Sequence, residues 1–191
     1  MSAIWNPQYE TMPREELTQL QLERLQSTLH RVYRYVSYYH RVMDEARLQP
    51  EELQALDHLR RLPFTTKESL RESYPYAMFA LPLREVVRLH FSTGATGAPT
   101  VVGYTHNDLR HWTDLVARNL AACGLTKEDV VQILFGYGRF TGGFGFHYGA
   151  EALGAAVIPV SSEDVPRQVQ IMQDFRTTAI IGTPSYALHL G

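Results

Sequence analysis

From Val130 onward, three short apolar and β-branched runs recur at helix-length intervals. They are Val130-Val131-Gln132-Ile133-Leu134-Phe135, Ala155-Ala156-Val157-Ile158-Pro159-Val160 and Ala179-Ile180-Ile181-Gly182-Thr183. Between them lie the glycine-rich helix or loop–helix Gly142–Leu153 and the helical segment Val165–Phe175. Strands separated by helices of this length pair in parallel through βαβ crossovers. A further helix precedes the first run. Thr105 is its candidate cap and Asp108 its capping-box partner; Leu109, Trp112, Leu115, Val116 and Leu120 give its apolar face, and Gly124 ends it.

Upstream of that helix lies Phe91-Ser92-Thr93-Gly94-Ala95-Thr96-Gly97-Ala98-Pro99-Thr100, set between the runs Val86-Val87-Arg88-Leu89-His90-Phe91 and Thr100-Val101-Val102-Gly103-Tyr104. A glycine- and hydroxyl-rich loop between strands can wrap backbone N–H groups and hydroxyls around a phosphate. The same composition also serves a plain turn. It is not a Walker A loop, because no lysine follows Gly97.

Residues 15–46 read as one long helix. Leu22, Leu25, Leu29, Val32, Val36, Tyr39 and Met43 recur at spacings of three and four and make one apolar stripe. That stripe suits packing within its own domain or a coiled-coil seam. Tyr33, Tyr35, Tyr38 and Tyr39 crowd one end, where a partner surface is a second expectation. Residues 51–84 read as short helices and turns broken by Pro75 and Pro82, with Thr65 or Thr66 capping a helix and Lys67 on the surface.

A formal charge of −2 over 191 residues argues against a general nucleic-acid binder. The single Cys123 excludes an intramolecular disulfide and is expected to pack as a small apolar side chain near a helix end. No apolar run approaches the roughly 18–20 residues of a membrane span. The start, Met1 to Pro7, lacks the basic and apolar regions of a signal peptide, so the expectation is a soluble cytoplasmic chain with no membrane partner.

A second glycine cluster, Gly136-Tyr137-Gly138-Arg139-Phe140-Thr141-Gly142-Gly143, follows a strand and precedes a helix, where open α/β sheets bind ligands. Thr141 breaks the dinucleotide fingerprint. Aromatic faces beside bare backbone suit a flat apolar ligand, and equally a crossover with core aromatics. His147 and Glu151, four apart, share a helix face; a side-chain contact is favoured over a metal pair, and no metal site is expected.

Taken in order, Ser92 to Thr100, Val101 to Asp108, Gly136 to Gly143 and His147 to Glu151 resemble the phenylacetate–CoA ligases, members of the adenylate-forming (AMP-binding) superfamily. So do Trp5-Asn6-Pro7, Leu20 to Leu25, Pro63 to Lys67, Arg167 to Gln170 and Thr183 to Tyr186. The resemblance implies an α/β fold with a helical N-terminal region over residues 1–84. An incomplete parallel-sheet nucleotide- and acid-binding subdomain would follow over residues 85–191. It further implies the N-terminal part of a longer ligase, which joins a carboxylic acid to coenzyme A through an acyl-adenylate. ATP, Mg2+ and coenzyme A are the implied co-substrates, a small aromatic or related carboxylic acid the substrate, and a homodimer the assembly. By the same resemblance Ser92, Thr93, Gly94, Ala95, Thr96, Gly97 and Thr100 form the phosphate loop. Phe135, Tyr137, Arg139, Phe140, Gly142, Gly143 and Phe146 line the acid pocket.

Three departures stand out. Relatives usually carry lysine at Ala98 and threonine at Ala95, and each loss removes a charge or donor worth about 1–3 kcal/mol. Phe146 stands where a small residue is usual and Arg139 where leucine is usual, which implies a smaller acid than phenylacetate or one with a second anionic group. The family's catalytic lysine, magnesium-binding glutamate and adenine- and ribose-binding motifs come later in its chains, so no catalytic residue and no turnover are expected from these residues alone. The alternatives are a non-catalytic nucleotide- or acid-binding module, and an interaction protein using the residue 15–46 helix.

Overall fold

The computed structural model describes residues 4–92, 94, 97–138, 141–161 and 163–191. In chain order the helices are α1 Pro7–Glu10, α2 Arg14–Tyr35, α3 Ser37–Glu45, α4 Lys67–Glu72, α5 His106–Ala122, α6 Gly142–Leu153, α7 Val165–Phe175 and α8 Pro184–Leu190. The strands are β1 Arg88–Phe91, β2 Val101–Tyr104, β3 Val130–Ile133, β4 Ala156–Ile158 and β5 Ala179–Ile181. Contacts divide the chain into two units, Thr11–Thr105 and Met1–Glu10 with His106–Gly191. The sequence pattern draws its boundary between residues 84 and 85, where strand–helix alternation begins, whereas the contacts group the β1–β2 hairpin with the preceding helices.

In the first unit, the long helix expected over residues 15–46 is broken at Val36, whose φ of −118° and ψ of 105° are extended. The reason lies in the core. Leu29 and Met43 belong to one buried cluster with Leu48 and Leu53. On a straight helix, fourteen residues would separate them by about 21 Å. The break lets α3 return to the cluster, while the Val36 N–H still donates to Val32 O at 2.9 Å. Leu29, Val36 and Met43 are buried. These three positions of the stripe are covered within their own unit, while Leu22, Leu25, Val32 and Tyr39 are half-buried.

Tyr33, Tyr38 and Tyr39 of the tyrosine cluster have their hydroxyls engaged inside the unit. Tyr33 Oη donates to Asp44 Oδ1 at 2.8 Å, Tyr38 Oη donates to Ser69 Oγ at 3.0 Å, and Tyr39 Oη lies 3.1 Å from Thr65 Oγ1. The last two tie α3 to the start of α4. There Thr66 and Ser69 form a reciprocal capping box, which satisfies two N–H groups that the helix leaves open. β1 and β2 pair antiparallel, with Arg88 opposite Tyr104 and Phe91 opposite Val101. Gly103 on β2 admits the Phe79 ring, since a Cβ there would lie 2.6 Å from Phe79 Cε2.

In the second unit the sheet is parallel, in the order β4-β3-β5, with Val131 opposite Val157 and Ala179. β3 is central and covered on both faces. Val131 and Ile133 join Leu120 of α5 and Ala150 of α6 in the core. Gln132, pointing the other way, donates from Nε2 to Gln168 Oε1 of α7 at 2.6 Å. This buried polar pair is satisfied further: Thr177 Oγ1 donates to Gln132 Oε1 at 3.0 Å, and Gln168 Nε2 donates to Ser161 O at 2.9 Å. Helices on both faces are what an all-parallel sheet needs.

The glycines of α6 have a packing reason. A Cβ at Gly145 would lie 2.5 Å from Trp112 Cζ2, and one at Gly149 2.5 Å from Val116 Cγ1. Each pair is spaced by four, so a ridge of α5 seats on the bare row of α6. Residues 5–10 are pinned to α5: Trp5 Nε1 donates to Asp114 Oδ1 at 3.0 Å, and Arg118 Nε lies 3.6 Å from Glu10 Oε1. Cys123 is exposed, contrary to the expectation that it would pack. Gly124, at φ +93°, turns the chain so that Leu125 N–H caps Leu120 O, and Leu125 rather than Cys123 reaches the core. Among the described residues no helix is long and apolar enough to cross a membrane.

Candidate functional site

The glycine loop belongs to the first unit. Its ends are closed by Ser92 N–H donating to Thr100 O at 3.0 Å and Thr100 N–H donating to Ser92 Oγ at 2.9 Å. Ser92 Oγ is therefore already an acceptor, and its own proton is what it can offer a ligand. Within the loop, Gly97 N–H donates to Gly94 O at 3.1 Å. Gly94 has φ +67° and Gly97 φ +138°, conformations that side chains rarely adopt. A Cβ at Gly94 would also lie 3.0 Å from Gly97 O, so the turn is tight as well as left-handed. Thr93, Ala95 and Thr96 lie outside the described residues.

Residues 51–84 read from sequence as short helices and turns, yet one of them reaches this loop. A Cβ built on Gly97 would lie 3.7 Å from Arg71 Nε and 3.8 Å from its Cζ. Arg71 is on α4, its side chain is 23% exposed, and its Nη1 lies 3.5 Å from Glu68 Oε1. No local signal marks this residue, because its contact is made 26 positions along the chain. Lys67, on the same helix, is exposed as expected.

The aromatic cluster belongs to the second unit, between the end of β3 and the start of α6. Gly143 sits close over the preceding loop, since a Cβ there would lie 3.1 Å from Gly136 O. Phe135 stacks on Phe146 with centroids 5.9 Å apart, and both rings pack on the core. Tyr137 meets Phe144 edge-on at 5.3 Å and His147 edge-on at 5.6 Å. Phe135, Tyr137, Gly143 and Phe146 are thus brought together, with Gly142 opening α6. Arg139 and Phe140 lie outside the described residues.

His147 and Glu151 make the side-chain contact favoured from their spacing, with Nε2 of the ring 3.0 Å from Glu151 Oε1. Tyr137 Oη lies 3.1 Å from His147 Nδ1. When Nε2 carries the proton that Glu151 accepts, Nδ1 of the neutral ring accepts from the phenol. Burial, and then the Glu151 charge, push the Tyr137 phenol up to about 12. The hydroxyl therefore stays protonated near neutrality and points to the imidazole, which among the described residues of the cluster leaves ring faces and bare glycine backbone to meet a ligand.

Burial, and then the neighbouring Arg88 charge, hold the His90 imidazole below its usual range on β1. Among the described residues no group of three or more His, Cys, Asp or Glu side chains is placed to hold a metal ion. A cavity of about 210 Å³ opens at the α2–α3 break, lined by Tyr33, Arg34, Ser37 and His40 among others, and takes no residue from either glycine cluster.

No protein-family model matches the chain. It is 50% identical over 184 residues to the phenylacetate–coenzyme A ligase of Thermus thermophilus, covering 96% of this chain and 41% of that protein. It is 48% identical over 181 residues to the enzyme of the same name from Escherichia coli, covering 95% of this chain and again 41% of the relative. Among solved structures, a 2-hydroxyisobutyryl-CoA ligase in complex with 2-HIB-AMP and CoA in the thioesterification state superposes with a TM-score of 0.91 at 33% identity. That match covers 99% of this chain and 42% of the ligase. The chain spans about two-fifths of the length of these relatives. By sequence over nearly all its residues, and by fold, it resembles the N-terminal part of the phenylacetate–CoA ligases, which are adenylate-forming enzymes.

Proposed function

We propose that this chain supplies the phosphate loop and the acid-binding wall of an AMP-forming ligase that joins phenylacetate, or a related aromatic carboxylic acid, to coenzyme A. The observation that carries the proposal is the identity of about half the residues to phenylacetate–CoA ligases along 94–96% of the chain. The left-handed Gly94 and Gly97, where a phosphate cradle needs bare backbone, support it. So does the aromatic cluster beside Gly142 and Gly143.

In the first step the carboxylate attacks the α-phosphorus of ATP, forming the acyl-adenylate and releasing pyrophosphate. In the second the thiolate of coenzyme A attacks the acyl carbon and AMP leaves. Two anions meet in the first step, so donors fixed in advance around the phosphates lower its barrier. Ser92, Thr93, Gly94, Thr96, Gly97 and Thr100 hold the β- and γ-phosphates in this proposal. Phe135, Tyr137, Phe140, Gly142 and Gly143 contact the acid, and Arg139 and Phe146 set its size and charge. Mg2+ would enter with ATP in this proposal; among the described residues no group of three or more His, Cys, Asp or Glu side chains is placed to hold it. A cytoplasmic homodimer is the assembly we propose with it. A binding module without turnover is the second reading, favoured by the uncharged Ala98 in the loop.

Calorimetric titration of the chain with MgATP and with phenylacetate tests the proposal. Saturable binding of both is expected. Binding of neither by a folded chain refutes it.

A further inference from the structure

The loop from Phe91 to Thr100 contains no charged side chain. Its described ligand-facing resources are neutral: backbone N–H groups and hydroxyls. Polyphosphates carry several negative charges, and a guanidinium adds to its hydrogen bonds a direct charge–charge attraction that neutral donors do not supply. A cation from elsewhere in the fold would therefore matter at this loop more than at most.

Arg71 meets that need geometrically. Its Nε, Cζ and Cδ lie 3.7, 3.8 and 3.9 Å from the position where Gly97 lacks a Cβ. The guanidinium is thus laid against the loop backbone at its second glycine. The helix that carries it is held in place independently of the loop. Tyr38 Oη donates to Ser69 Oγ at 3.0 Å, Tyr39 Oη is 3.1 Å from Thr65 Oγ1, and Thr66 with Ser69 caps the first turn. Arg71 sits two residues beyond Ser69, with most of its side chain covered. A restrained, forked guanidinium loses little freedom on meeting an anion and offers donors in a geometry matched to phosphate oxygens.

We infer that Arg71 is an anion-binding residue of the glycine loop, which places its positive charge beside Gly97 to meet the phosphates of ATP and the departing pyrophosphate. The inference rests on the phosphate-loop reading above and deepens it. Glu68, 3.5 Å from Arg71 Nη1 and 70% exposed, partly neutralises that charge in the absence of ligand. Glu68 is accordingly a counter-ion that an incoming phosphate must outcompete.

The test is titration of the full chain with inorganic pyrophosphate and, separately, with ATP. Arg71→Ala is expected to weaken pyrophosphate binding about tenfold or more, the scale of a charged hydrogen bond. Arg71→Lys, which keeps the charge but not the fork, is expected to lose less. Glu68→Gln is expected to tighten binding, and Ala98→Lys in the Arg71→Ala background to restore part of it, which a merely structural role would not allow. Circular dichroism and melting show whether each variant is folded. If Arg71→Ala does not fold, Arg71→Gln and Glu68→Gln carry the test. Equal pyrophosphate binding by folded Arg71→Ala or Arg71→Gln and the unsubstituted chain overturns the inference alone. No binding of either anion by the unsubstituted chain overturns the phosphate-loop reading, and this inference with it.

Discussion

Gly149→Ala sets two effects against each other and so tests the packing of α5 on α6. On helix propensity alone, replacing glycine by alanine inside a helix stabilises by about 1 kcal/mol. Here the added methyl would lie 2.5 Å from Val116 Cγ1, 2.8 Å from Val116 Cβ and 3.1 Å from Ala117 N. Carbon atoms in contact prefer about 3.5–4.0 Å, so the two helices must part by about 1 Å. Ala117 N is backbone and cannot swing aside as a side-chain tip would. Overpacking costs about 1–3 kcal/mol, and with backbone at Ala117 N in the way the upper part, about 2–3 kcal/mol, applies, so the net loss is about 1–2 kcal/mol. In a chain of this size that lowers the melting temperature by about 2–8 °C. Both tryptophans, Trp5 and Trp112, belong to the unit concerned, so urea unfolding followed by tryptophan fluorescence reads the right transition. Val116→Ala added to Gly149→Ala is expected to recover part of the loss, as contacting residues couple. A Gly149→Ala chain as stable as the parent, or more so, would refute the reading of a bare helix row built to seat α5.

Three further outcomes follow from the same structure. Gln132→Leu leaves the buried Gln168 Oε1 without its donor and removes the acceptor of half-buried Thr177, and is expected to cost about 1–3 kcal/mol in urea unfolding, while Gln132→Leu with Gln168→Leu costs less than the sum of the two. His90 is held below its usual range, so the unfolded chain takes up a proton that the folded one refuses; stability contributed by neutral His90 is present above the unfolded value near 6.5 and is lost as pH falls below it. Urea midpoints between pH 7.5 and 5.5 check this, and His90→Gln should flatten the dependence. Tyr137, pushed up to about 12, is expected to ionise after ordinary tyrosines in an ultraviolet titration, with its contribution to stability present below pH 10 and lost as pH rises toward 12. The phenol ionising near 12 should be missing in Tyr137→Phe, while Tyr33, raised by its hydrogen bond to Asp44, remains.

Much of the second unit was legible because hydrophobic period and turn chemistry agree there. α6 and α7 span the expected residues, and β3, β4 and β5 lie inside the expected apolar runs. What escaped was whatever depends on distant partners. The break at Val36 has no proline or glycine to announce it; it is imposed by Met43 returning to Leu29. The bare row of α6 shows in sequence only as excess glycine until Trp112 and Val116 are found lying on it. Buried Gln132 sits in an apolar run as an unexplained polar residue, and only Gln168, 36 positions later, accounts for it. At the candidate site, Gly94 and Gly97 could be read from the loop's composition. Arg71 could not, because a short surface-type helix gives no hint of the glycine it faces.

The most direct measurement is to exchange this chain for the corresponding segment of one of the phenylacetate–CoA ligases it matches and to assay AMP formation. The account predicts AMP release that requires ATP, coenzyme A and an aromatic acid together. A folded hybrid that binds coenzyme A yet forms no AMP with any aromatic acid would contradict it.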